Sequence, residues 1–385
     1  MKAWILLCII CLISGCDTII PLNISKSFHD DLFTPPEKSI HVEEILDVSN
    51  EMQDFLSNQV KYYIRRGNDP KRALFNAITK SGKISIEYDA EMTKNAAETF
   101  KTQTGNCLSL VLMTAALAKK LDMYVEYQNV EFDEEAWKRM GEIYFSAGHV
   151  NIVLGKKAAF DRSRIDQTDT LIIDFIPPEQ ALRQRSSQIS EKRVIAMYLN
   201  NRAAELLSKD RIDDAYWYAR AAILQDVNFL TSFNTLGVIY RRHGDLILAK
   251  QIFTQITRQH PENIIALSNL HETLMKLGDT DSANKIGLKL KNLQPYEPFY
   301  FLNQAKLAIQ NNDLINAKNL LHEEIVHNPN NDECHFWLAI VHYRLGEFQE
   351  TAEQLMLARN NSITRKNYDL YSAKLNYLNS QFLIK

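Results

Sequence analysis

Four patterns of apolar and polar positions succeed one another along the 385 residues. The first is a charge followed by an apolar run, Lys2 and then 3–13. That run is shorter than the roughly 20 residues a membrane-spanning helix needs, and a charge ahead of a short apolar stretch is the order of a secretory leader, 1–15 here. The second pattern, 16–40, has no period and carries Pro21, Pro35 and Pro36, which predicts a tether. The third, 41–190, mixes periods. It predicts a helix around 45–66, an apolar-patterned stretch at 70–80, a short strand at 84–88, a long apolar helix from Cys107 to Ala118, and strands at 123–130, 149–154 and 171–175. Helices and strands in that order make an α+β domain, closed by Pro177 and Pro178, with a boundary near 185–195.

The fourth pattern is a repeat. Steps of 34 from Gly237 reach Ala203, His271, Ala305 and Ala339; a second column holds Ala215, Ala249, Ala283, Ala317 and Thr351; a third holds Val227, Pro261, Pro295 and Pro329. Gly244, Gly278 and Gly346 recur with Asp210 and Asn312 where the chain must reverse between helices. Small residues let two helices approach closely, large ones fill the space between them, and proline opens the next unit where its missing N–H costs little. The best copy, Phe233, Leu236, Gly237, Tyr240, Gly244, Ala249, Phe253 and Pro261, resembles the tetratricopeptide (TPR) repeat. The resemblance implies an all-α solenoid of about five repeats over 196–365. The remainder, 366–385, with Tyr368, Leu370, Leu375 and Leu378, is an amphipathic capping helix. A groove on such an array captures a peptide or partner protein; the alternative is an array that only orients the preceding domain. His271 breaks the small-residue column, a structural departure.

Chemistry concentrates in the third segment. Cys107 follows Gly105 and Asn106 at the mouth of the apolar helix, where unpaired amides favour a thiolate. His149 opens an alternating apolar strand, and Asp174 ends another, Leu171-Ile172-Ile173-Asp174-Phe175. The Gly-Asn-Cys helix start, the Gly-His-Val-Asn strand and the Ile-Asp-Phe strand resemble the transglutaminase-like superfamily of papain-like cysteine enzymes, in its bacterial form. That resemblance covers short blocks within about 85–178 and implies Cys107 as nucleophile, His149 as base and Asp174 as the group orienting the imidazole. The implied reaction is acyl transfer from a peptide or protein amide, hydrolysis ahead of cross-linking. Oxyanion donors would be the Cys107 backbone N–H and, as a second, Gln103. Some members of the superfamily serve as binding modules, so a noncatalytic envelope scaffold is the competing expectation.

Leu12-Ile13-Ser14-Gly15-Cys16 resembles the bacterial lipoprotein box. It implies cleavage before Cys16, lipid on Cys16, and attachment to a membrane of the cell envelope, facing the periplasm or exterior. Ordinary secretion or an uncleaved anchor is the alternative. Asp17 resembles an inner-membrane retention signal. With Cys8 and Cys11 in the leader, Cys16, Cys107 and Cys334 are too few for a disulfide framework, and Cys334 reads as core packing. A formal charge of -3 supplies no basic patch for nucleic acid, and 45% apolar with 24% charged residues describes folded domains. No carboxylate run has the spacing of a calcium loop, and His322, His327, His335 and His342 lack tight metal spacing, so neither metal nor cofactor is expected.

Overall fold

The computed structural model describes residues 26–36, 39–79, 87–88, 92–131, 137–140, 143–146, 149–157, 165–175, 185–293, 296, 299–362 and 365–380. The leader, Cys16, Asp17 and residues 84–86 of the strand expected at 84–88 lie outside them. Among the described residues no helix is long and apolar enough to cross a membrane.

The first half is α+β. The predicted helix at 45–66 is divided: α1 (Asn50–Phe55) runs through a π turn, Leu56–Val60, into α2 (Lys61–Arg65). Leu56 and Val60 are both buried, so the wider turn keeps one apolar face aligned with the core. The stretch after Asp69 is α3 (Pro70–Thr79), opened by a proline at the position where helices tolerate it. β1 (Glu87–Tyr88) pairs in parallel with β2 (Thr104–Gly105), on either side of α4 (Ala96–Thr102). The apolar helix is α5 (Cys107–Lys120), every residue from Leu108 to Ala118 buried. It packs on an antiparallel sheet of four strands: β3 (Tyr124–Glu131), β6 (His149–Lys157), β7 (Ile165–Ile173) and β8 (Arg185–Ile189), in the order β7-β6-β3-β8. A separate ribbon joins β4 (Trp137–Met140) to β5 (Ile143–Ser146).

The second half is helical: α6 (Glu191–Ser208), α7 (Ile212–Gln225), α8 (Leu230–His243), α9 (Leu246–Gln259), α10 (Ile264–Lys276), α11 (Thr280–Leu293), α12 (Tyr300–Gln310), α13 (Leu314–His327), α14 (Asp332–Leu345), α15 (Phe348–Asn361) and α16 (Arg365–Leu378). They stack as consecutive hairpins. Each reversal within a pair falls on the turn column, and every member is left-handed: Asp210 (φ 58°), Gly244 (107°), Gly278 (74°), Asn312 (61°) and Gly346 (80°). Glycine takes that conformation without strain, and Asp and Asn take it more readily than other side-chain-bearing residues, which is why only these types fill the column. The helical array is a TPR-like solenoid.

The departure at His271 has a partner. In the second pair Gly237 faces Phe253 so closely that a methyl on Gly237 would meet the ring at 2.6 Å. In the third pair the large side chain sits on the first helix as His271, and the facing helix answers with Gly287, whose missing side chain would lie 3.4 Å from His271 Nε2. Large and small have changed places. In α16, Tyr371, Leu375 and Leu378 form the buried face, whereas Tyr368 and Leu370 are exposed.

Two connections between the halves differ from the sequence reading. α6 belongs to both cores: Val194, Tyr198 and Leu199 pack with α5 and the sheet, while Ala203, Leu206 and Leu207 pack with the solenoid. The segment read as a tether is docked over 27–34. Phe33 stacks on Tyr216 with ring centroids 3.9 Å apart and is 5% exposed. Tyr240 Oη donates to the Ser27 carbonyl (2.7 Å), Tyr216 Oη to Asp30 (2.6 Å), and Trp217 Nε1 to the Thr34 carbonyl (2.6 Å). Arg220 donates to Asp30 at 2.9 Å and lies over Phe28. A short aperiodic segment carries no signal of its own for such docking, because its partners lie some 180 residues away in sequence. Burying a Phe ring is worth roughly 1.5–3 kcal/mol. Phe33→Ala should therefore release the strap, seen in limited proteolysis as rapid cleavage within 26–36 while the helices stay protected. Unchanged protection of the segment would mean the polar contacts hold it alone.

Candidate active site

Cys107 is the first residue of α5 because of what precedes it. α4 ends at Gln103, which turns the chain in the left-handed region (φ 55°), an uncommon conformation for a residue with a side chain. Gly105 then passes so close to α5 that a methyl on it would meet Ser109 Cβ at 2.7 Å and Thr99 at 3.2 Å. Asn106 caps the helix, accepting the Ser109 N–H (2.9 Å) and the Ser109 hydroxyl (2.9 Å). The thiol is half-buried and in no disulfide.

His149 and Asp174 arrive from adjacent strands. β6 starts at His149, opposite Val130 of β3, and its antiparallel register with β7 pairs Ile152 with Ile173. Asp174, the residue just after that strand, is thereby brought alongside the start of β6. His149 Nε2 lies 2.6 Å from Asp174 Oδ1, with the ring 4% exposed. Asn151, two residues along β6, donates to the other carboxylate oxygen, Oδ2, at 3.4 Å. The three residues that the sequence singled out stand together, since the His149 ring is hydrogen-bonded to Cys107 as well as to Asp174. With Nε2 on the carboxylate, Nδ1 is the ring atom left for the thiol.

Burial by itself pushes the His149 pKa down, but the hydrogen bonds to Asp174 and Cys107 and the negative charge on both outweigh it and raise the value to about 9. At neutral pH the ring is an imidazolium between two anion-forming groups. That arrangement favours a thiolate on Cys107 and leaves a proton on the ring for a leaving group. Cys334 is the contrast. It is fully buried in α14, donates to the Leu321 carbonyl at 3.5 Å, and burial with the nearby Glu324 and Glu333 charges pushes its pKa far up. Its reading as a packing residue agrees with that setting.

Asn151 is a residue whose part the sequence did not reveal, although it sits two positions after His149 and so shares its side of an alternating strand. Its amide oxygen is buried with no hydrogen-bond partner. The other histidines stay apart from the site: His335 lies between Gln354 and the Pro329 carbonyl, His342 meets Glu347, and His327 stacks on Phe301. Among the described residues no cluster of His, Cys, Asp or Glu is arranged to hold a metal ion.

No protein-family model matches the chain, and no curated protein matches it. Solved structures do. The chain is similar to YrrB, a TPR protein with an unusual peptide-binding site, at 18% identity over 47% of this chain and 92% of that one, with a TM-score of 0.25. It is also similar to a thermophilic TPR protein of Thermus thermophilus, at 14% identity over 47% of this chain and 99% of that one, with a TM-score of 0.28. A third is the Cut9–Hcn1 hetero-tetramer of APC/C, at 15% identity over 48% and 36%, with a TM-score of 0.27. At this identity and overall similarity they say nothing of substrate or partner.

Proposed function

We propose that this chain joins a protein-binding solenoid to a cysteine acyl-transfer site. In this reading 41–190 is a transglutaminase-like, papain-like domain, 196–365 holds about five TPR repeats, and lipid on Cys16 attaches the whole to a membrane of the bacterial cell envelope. The observation that carries the enzymatic part is the hydrogen-bonded series Cys107, His149, Asp174, with the imidazole buried and its pKa raised to about 9.

The chemistry follows from that order. The Cys107 thiolate attacks the carbonyl carbon of a peptide or protein amide, forming a C–S bond as the carbonyl electrons move to oxygen. The Cys107 N–H, with Gln103 as a second donor, stabilises that oxyanion. Its collapse breaks the C–N bond while the His149 imidazolium protonates the departing amine, leaving a thioester. His149, now neutral, takes a proton from water as the water attacks the thioester; the acid leaves and the thiolate–imidazolium pair returns. An amine in place of water would cross-link instead. Asp174 keeps the ring in place and compensates its charge, and Asn151 steadies Asp174.

A second reading is a noncatalytic scaffold in which both halves bind proteins. The helical array favours it, since TPR-like solenoids are surfaces for peptide and protein partners. The two separate in one comparison: the purified chain and its Cys107→Ala variant are each incubated with an envelope protein extract, and mass spectrometry follows new termini, lost side-chain amides and new isopeptide links. Products that require Cys107 establish acyl transfer and name its class. Identical products with equal recovery of bound proteins sink it in favour of the scaffold.

A further inference from the structure

A buried polar chain runs from the solenoid to the cap of the nucleophile helix. Glu205, on α6, accepts the Thr93 backbone N–H at 2.7 Å; it is 7% exposed and is itself held by Arg202 at 2.5 Å. Thr93 is 2% exposed, and its hydroxyl oxygen accepts the Asn106 side-chain amide at 2.8 Å and that of Asn201, also on α6, at 3.3 Å. Asn106 uses its oxygen to cap Ser109, and the Ser109 hydroxyl in turn accepts the Lys94 backbone N–H at 2.9 Å. Both ends of the Asn106 side-chain amide are thus committed between Thr93 and the first turn of α5, one residue before Cys107. The same α6 is the first helix of the solenoid and packs into both cores. A hydrogen-bonded amide cannot rotate without leaving a buried donor unpaired, so Thr93 dictates which way the cap faces.

We propose that Thr93, anchored from the solenoid by Glu205 and Asn201, is a positioning residue for Cys107, so that the first solenoid helix is a working part of the thiol site rather than an appended binding module. This rests on the cysteine-site reading above. Thr93 touches neither the thiol nor a substrate; it acts through Asn106, whose cap sets the helix entry and the amides around the sulfur. A partner seated on the array that moved α6 would reach the thiol through this contact.

The test is the pH profile of Cys107 alkylation by iodoacetamide in the full chain, followed by peptide mass spectrometry, with thermal melting measured alongside. Thr93→Val keeps shape and removes the acceptor; Thr93→Ser restores it. The expected result is an acid limb displaced upward by roughly half to one pH unit in Thr93→Val, about a three- to tenfold loss of rate at pH 5, and recovery in Thr93→Ser. A purely structural role would lower the melting temperature and leave the profile of the folded protein in place, which overturns the proposal. Should Thr93→Val not fold, Asn201→Ala keeps the Glu205 anchor and removes the longer bond; a displacement in the same direction supports the proposal, and a wild-type profile overturns it. The underlying site reading fails separately: the unmodified protein and His149→Ala would then share the profile of an ordinary thiol.

Discussion

Replacing His149 by alanine lowers the rate at which iodoacetamide alkylates Cys107 at pH 5 by about 10²-fold. The free thiol has a pKa near 8.5 and is almost wholly protonated at pH 5, whereas a thiolate paired with an imidazolium is already formed. Its lower basicity makes each paired thiolate a weaker nucleophile, so the gain in thiolate fraction is only partly realised, and the contrast is larger at pH 5 than at pH 7. Turnover of any amide substrate suffers more, by roughly 10²–10⁴-fold, because the same ring is the proton donor and acceptor. Cys334 supplies an internal control, since its burial keeps it silent in both proteins. Equal profiles for wild type and His149→Ala would show that the hydrogen-bonded series does no chemistry.

The sign of the pH dependence is set by the same group. The His149 pKa is raised to about 9 in the folded chain, above the ordinary value of 6.5. The protonated ring therefore stabilises the fold in full below about pH 6.5, and that contribution, of order 3 kcal/mol at most, is lost as pH rises through about 9. In the proposed acyl transfer the rate declines over the alkaline end of the same window, where the ring loses the proton it would donate.

The other large effect lies in the solenoid. Gly237→Leu should destabilise the helical half by roughly 3 kcal/mol, because even a methyl there would sit 2.6 Å from the fully buried Phe253 ring. The third pair supplies the reverse experiment. Gly287→Leu against His271 should cost about 1–3 kcal/mol; against His271→Ala it should be neutral or stabilising. The double variant restores the order of small then large residues found in the same columns of the fourth pair, where Ala305 and Leu321 are buried in one core. Denaturant melts of the four proteins measure the coupling. Strict additivity would mean that His271 and Gly287 do not share one space.

Sequence by itself determined what local physics controls. Turns between helices need left-handed residues at fixed spacing, helix pairs need a small residue where they touch, and a helix start needs its cap, so the 34-residue columns and the Asn106–Cys107 start are visible in the chain alone. The grouping of Cys107 with His149 and Asp174 was implied only by the resemblance of the short blocks around them to a known superfamily; no period in the chain links the three. What the fold alone decided depends on partners distant in sequence. The β6–β7 register sets Asp174 beside His149 and Asn151. The docking of Phe33 on Tyr216 makes a strap of a segment that reads as a tether. The hold of Glu205 on Thr93 crosses 112 residues. Such contacts follow from side-chain shape and from the demand that every buried polar group find a partner, and neither leaves a period in the sequence to be read.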